Sequence, residues 1–169
     1  ACRQALALNG TLAAGHYYLA LNLGQLAKTK TLGALKIVGE MERELKKAAD
    51  LDPGLDNAGA DRSLGLLNFE APSWPASIGS RSKARLHLEK AVEISPEFPE
   101  NQLCLLEAYL KWNDKKGMSA QMKTLKEVWP RARRTLSGEQ WTASWEDWQK
   151  RWTNVQASVE HVRVPKKQR

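Results

Sequence analysis

The side chains able to do chemistry are few and scattered. His16, His87 and His161 each stand without a second ligand type at helical spacing, so none begins a metal site or pairs as a catalytic base. Cys2 and Cys104 are the only cysteines. No CxxC spacing joins them, and Cys104 lies in the apolar run LCLLEAYL, where a thiol packs as a small hydrophobe. No Ser/His/Asp or Cys/His set accompanies a glycine-rich turn, and no phosphate or dinucleotide fingerprint occurs. The carboxylates of EMERE (40–44) are interleaved with Arg43, Lys46 and Lys47 and read as a solvated helix face with i,i+4 pairs. The sequence predicts a non-enzymatic protein with no catalytic residues, no cofactor and no metal.

Binding chemistry remains. The formal charge is +7, gathered at NDKKG (113–117), RARR (131–134) and PKKQR (165–169), which favours acidic partners or surfaces. No nucleic-acid motif accompanies these cations, so no nucleic-acid partner is expected, and the basic tail reads as solvated. No apolar run approaches the roughly 20 residues that a bilayer span needs. An apolar content of 42% in 169 residues is enough for a folded core.

The elements that would position any binding side chain repeat. ALALNG, AADLDP and AVEISP end at Gly10, Pro53 and Pro96, successive breakers 43 residues apart. In register before each breaker lie Ala5, Ala48 and Ala91, then Cys2, Leu45 and Leu88, with Ala84 as a further small residue. Apolar residues recur every three or four positions, which is a helical period and not a strand's. Small residues such as Gly65, Ala84 and Ala91 let paired helices approach, while Leu19, Leu45, Leu64, Leu88 and Leu105 fill the space between them. Each pair cannot bury its apolar face alone and has to stack on a neighbour.

These slots resemble the tetratricopeptide repeat, whose second helix carries A-x3-F…A…P and whose first carries W-x2-L-G-x2-Y. The first-helix slots hold His16, Leu19, Ala20 and Leu23, then Asp61, Leu64, Gly65 and Asn68, then Gln102, Leu105, Leu106 and Tyr109. The spacing from Pro96 to Pro130 is 34 residues, one standard repeat. The longer copies carry inserts, one near Lys28 to Gly33 and one in the turn-rich loop 70–83 that presents Trp74 between prolines. Three stretches, GHYYLALNLGQLAKTKTLGALK (15–36), NAGADRSLGLLNFEAPSWPASIGSRSKARLHLEKAV (57–92) and PENQLCLLEAYLKW (99–112), are similar to bacterial TPR-like proteins of the TRAP-transporter T-component family. Ala60 and Ser73 depart from that pattern, standing where Pro and Gly are usual.

The resemblance implies an all-α fold of stacked antiparallel helix hairpins, a TPR-like α-α superhelix with a long C-terminal capping helix. Residues 1–10 are expected to be the tail of a repeat that began upstream, with repeats at 11–53, 54–96 and 97–130, the cap at 137–163 and the basic tail at 164–169, and 1–163 are expected to form a single domain. A protein or peptide partner is expected on the concave face, where the repeat slots place Tyr17, Leu21, Arg62, Leu66, Phe69, Leu103, Glu107, Leu110 and Lys111. The T-component resemblance implies, alternatively, an accessory subunit of a solute transport system, extracytoplasmic, that binds a small apolar ligand or a substrate-binding protein. Trp74 is a second candidate, as a plug over the core or a ligand contact. Trp141, Trp145, Trp148, Trp152, Val155, Val159 and Val162 step by four and three along one helical stripe after an N-cap at Ser137. That stripe caps the last hairpin, or pairs with a partner helix in a homo-oligomer.

Overall fold

The computed structural model describes residues 1–29, 34–72 and 77–163, with side chains through Val159. Trp74, the 30–33 part of the first insert and the 164–169 tail lie outside the described residues. All regular structure among the described residues is helical: eight α-helices and one 3-10 turn, packed as neighbouring pairs. None of these helices is long and apolar enough to cross a membrane. The chain divides after Pro96 into two compact units.

The first unit holds α1 (Cys2–Leu8), α2 (Ala13–Lys28), α3 (Ala34–Leu51), α4 (Gly59–Glu70) and α5 (Arg81–Ile94), each packed on the next. Helices α1, α3 and α5 end two residues before Gly10, Pro53 and Pro96, so the breakers of the sequence repeat are helix stops. Tyr17, Ala20, Leu45, Ala48, Ala49, Ala60 and Leu64 form a core cluster between α2, α3 and α4. The register pairs Gly65 of α4 with Leu88 of α5 closely enough that a β-carbon at 65 would lie 2.6 Å from Leu88 Cγ. Ser80 caps α5 by accepting from the Lys83 amide at 3.3 Å.

Between α3 and α4 the backbone makes a turn that sequence alone does not announce. Asp56, Asn57 and Ala58 all adopt left-handed φ, at 50°, 53° and 61°. Asp and Asn tolerate this conformation, but for Ala58 it costs about 1–2 kcal/mol, so the turn gains from external support. Arg62 supplies it, donating to the Asp56 carbonyl at 3.3 Å, the Asn57 carbonyl at 3.1 Å and Asp56 Oδ2 at 3.0 Å. Tyr17 adds a hydroxyl bond to the same carboxylate at 2.6 Å.

The second unit holds α6 (Pro99–Lys111), α7 (Lys115–Thr135), a 3-10 turn (Glu139–Trp141) and α8 (Thr142–Arg163). Asp114 caps α7 through the Gly117 amide at 2.9 Å. Pro130 does not end the third repeat as the spacing suggests: α7 runs through it to Thr135. The missing Pro130 amide leaves the Lys126 carbonyl without its helical donor, and Lys126 and Pro130 both lie on the exposed side of α7. The cap also starts later than expected. Gly138, with φ at 106°, initiates the 3-10 turn that contains Trp141, so Ser137 does not cap α8 and Trp141 precedes that helix.

The rest of the stripe is as the period requires. Trp145, Trp148, Trp152, Val155 and Val159 are all buried, while the Val162 side chain is outside the described residues. Trp145 meets Trp129 of α7 edge-on at 5.4 Å, and Trp152 stacks on it at 6.0 Å. Trp148 meets Phe98 edge-on at 5.5 Å. From Trp145 through Val159 the stripe is therefore filled from within the second unit, as the capping alternative expects, while Trp141 is half-buried. Each indole buries about 150–250 Å², more than the helix could leave open to water without loss.

Candidate functional site

One slot carries polar chemistry in all three hairpins. His16, Asp61 and Gln102 occupy the large-aromatic position of the repeat, and all three are buried. Each is met from the second helix of its pair. His16 Nδ1 lies 2.5 Å from Glu44 Oε2, His87 Nδ1 lies 2.8 Å from Asp61 Oδ1, and the Gln121 side-chain amide donates to Gln102 Oε1. Glu44 and His87 are 43 residues apart, so the acid and the imidazole exchange helices between copies while the link persists. A buried polar group without a partner costs about 1–3 kcal/mol, which ties each first helix to one register on its second.

Burial pushes the Glu44 carboxyl up, but the His16 hydrogen bond and the Lys47 charge outweigh it and hold it below the usual range. Asp61 behaves alike: burial raises it, while His87 and Lys90, whose Nζ is 3.0 Å from Oδ2, bring it below. A carboxylate whose folded pKa is lowered stabilises the fold above its unfolded value, about 4, and that contribution is lost as pH falls through the lowered folded value. Urea midpoints are accordingly expected to drop below about pH 4. A Glu44→Gln/Asp61→Asn variant, less stable at neutral pH, will show a shallower acid loss; an equal loss would place the acid sensitivity elsewhere.

Among the described residues no group of three His, Cys, Asp or Glu side chains is arranged to hold a metal. Cys104 is buried beside Glu100, and burial first, then that carboxylate, pushes its thiol up to about 12. It stays protonated and packs.

The expected groove residues divide into two roles. Tyr17 and Arg62 are buried and brought together on Asp56, where they brace the left-handed turn; they do not line an open face. Desolvation, then the Asp56 bond, raises the Tyr17 phenol far above its ordinary value, so it remains a donor. Leu103 is fully buried in α6. Glu107 receives Arg151 of α8 at 2.9 and 2.8 Å. Leu21 is 38% exposed, Leu66, Phe69 and Leu110 are half-buried, and Lys111 is exposed. Tyr18, at 51% exposure and one turn from Leu21, is the surface aromatic that the slot assignment missed in favour of its neighbour. The period could not have found it: Leu21 lies about 60° around the helix from Tyr18 but about 40° from the buried Tyr17, so i,i+4 spacing favours the wrong tyrosine.

No family model matches the chain, and no curated protein matches it at a significant level.

Proposed function

We propose that this chain is a non-enzymatic interaction scaffold of the TPR type, whose first helices dock a protein or peptide partner. The observation that carries the reading is the apolar surface left on α2, where Tyr18 and Leu21 stay open one turn apart while Tyr17 and Ala20 beside them are buried. Half-buried Leu66 and Phe69 on α4 occupy the corresponding helix of the next pair. In a stacked helical array such first-helix positions receive ligands. The buried polar links add rigidity, which lowers the entropic cost of binding. On the T-component resemblance, the partner would be a substrate-binding protein.

Affinity purification from the native source, read by mass spectrometry, tests this. A specific partner should copurify with the wild type and fall roughly tenfold or more in a Tyr18→Asp/Leu21→Asp variant, as loss of apolar anchors predicts. The control is Leu86→Asp, at a 61% exposed leucine on α5, a second helix. Equal loss in the control, or none in the α2 variant, overturns the groove.

A further inference from the structure

Helix α7 carries seven basic residues against a single acid, Glu127. Arg131 alone among them is matched, to Glu97 at 2.8 and 2.7 Å. Lys115, Lys116, Lys123, Lys126, Arg133 and Arg134 are exposed and make no ion pair with a carboxylate among the described residues. Elsewhere cations are commonly neutralised, as in Arg3–Glu40, Lys46–Glu42, Arg62–Asp56, Lys90–Asp61 and Arg151–Glu100. At about 100° per residue the six unmatched cations fall within an arc of roughly 100° on the side away from the buried Met118, Leu125, Val128 and Ala132, along about 28 Å of helix. Lys115 and Lys116 also sit at the helix N-terminus, where the backbone dipole disfavours positive charge. Arg133 and Arg134, in the last turn, are favoured by the same dipole, but Lys123 and Lys126, one turn apart on the strip, repel each other, a cost that a docked anion relieves.

We infer that this cationic strip docks an acidic segment of a protein partner. The surroundings distinguish a polypeptide from other polyanions. At the C-terminal end of the strip, Arg133 lies 4.6 Å over the Trp145 ring at the edge of an open pocket of about 590 Å³. Leu136 and Trp145 give that pocket an apolar wall, while Thr142, Gln149 and Glu146 supply hydrogen-bonding groups. Glu146 repels a phosphate but accepts a peptide amide, and the pocket has room for more than one side chain of an extended segment. The strip itself presents Ser119 and Pro130 between its cations and no exposed aromatic for base stacking or leucine for insertion into lipid. Its length matches about eight residues of extended chain. This surface lies on a second helix and stands independently of the α2 groove.

Fluorescent poly-L-glutamate titrated into the full chain at about 0.15 M salt, where charges act over about 8 Å, tests the assignment. Lys123→Glu/Lys126→Glu should weaken binding roughly tenfold, whereas Lys28→Glu/Lys36→Glu, with the same net charge but changed on α2 and α3, should change it less than about twofold. Lys123→Gln/Lys126→Gln supplies the same comparison with a smaller loss should charge reversal disturb α7, and unfolding midpoints verify folding of each. Competition by phosphatidylcholine–phosphatidylglycerol vesicles or by a DNA duplex should be weaker than by unlabelled polyglutamate. Equal losses in the two charge variants, tighter binding to vesicles or duplex, or no binding of polyglutamate would each overturn the inference and leave the α2 groove unaffected.

Discussion

Arg151→Ala will lower the unfolding free energy by about 3–5 kcal/mol, the cost of leaving partly buried charges without their partner. Its guanidinium holds Glu107 by two bonds at 2.9 and 2.8 Å, Glu100 at 2.7 Å and Asp147 at 3.2 Å. Glu100 also accepts from the Trp148 indole at 2.5 Å. Burial raises the Glu100 carboxyl, but the Arg151 charge and hydrogen bond hold it below the usual range, so it is ionised and depends on the arginine. Without Arg151, the negative charge remains between α6 and α8 and draws water to the Trp148 edge. Six of the seven tryptophans lie in the second unit, so indole emission during urea unfolding reports on it directly. Adding Glu100→Gln to Arg151→Met should recover stability, with a coupling of about 0.5–3 kcal/mol. A loss below about 1 kcal/mol, as found for surface pairs, would show that the cluster is not what holds α8.

The second large effect belongs to the contact between α4 and α5. Leu88 is fully buried, and Leu88→Ala is expected to cost about 2–5 kcal/mol for lost transfer and the cavity left behind. Gly65→Ala is opposed by the same contact. Its β-carbon would lie 2.6 Å from Leu88 Cγ, 2.7 Å from Cδ2 and 3.1 Å from the Leu88 backbone nitrogen. The last of these prevents relief by a rotamer change, so overpacking of about 1–3 kcal/mol exceeds the helix-propensity gain of about 1 kcal/mol. In the double variant the new methyl group enters the space that Leu88 vacated. Its destabilisation should therefore be smaller than the sum of the two, by about 0.5–3 kcal/mol. Far-UV circular dichroism during urea unfolding measures all three, and strict additivity would mean that the helices separate rather than interlock.

Both cases show where local pattern sufficed. The repeat slots marked Gly65 as a small residue at a close approach and Leu88 as a filling one, and the structure showed that these two meet. Arg151 carried no such mark. Its partners Glu100 and Glu107 lie 51 and 44 residues away, a separation at which spacing says nothing about distance. The candidate groove was legible only in part for a related reason. A slot assigns a helix face to within about one position, and one position is about 100° on a helix. That is the difference between Tyr17, buried on Asp56, and Tyr18, open to solvent.

By itself the sequence determined that this chain is helical, that helices stop at Gly10, Pro53 and Pro96, and that a tryptophan stripe lies along the last helix. These follow from backbone restrictions and side-chain period, which act between near neighbours. Only the tertiary structure decided that α7 passes through Pro130, that Asp56–Ala58 turn left-handed under Arg62, and that the stripe is filled from within. Each depends on which distant groups arrive to satisfy a polar atom or exclude water, and an energy supplied through space leaves no period in the chain.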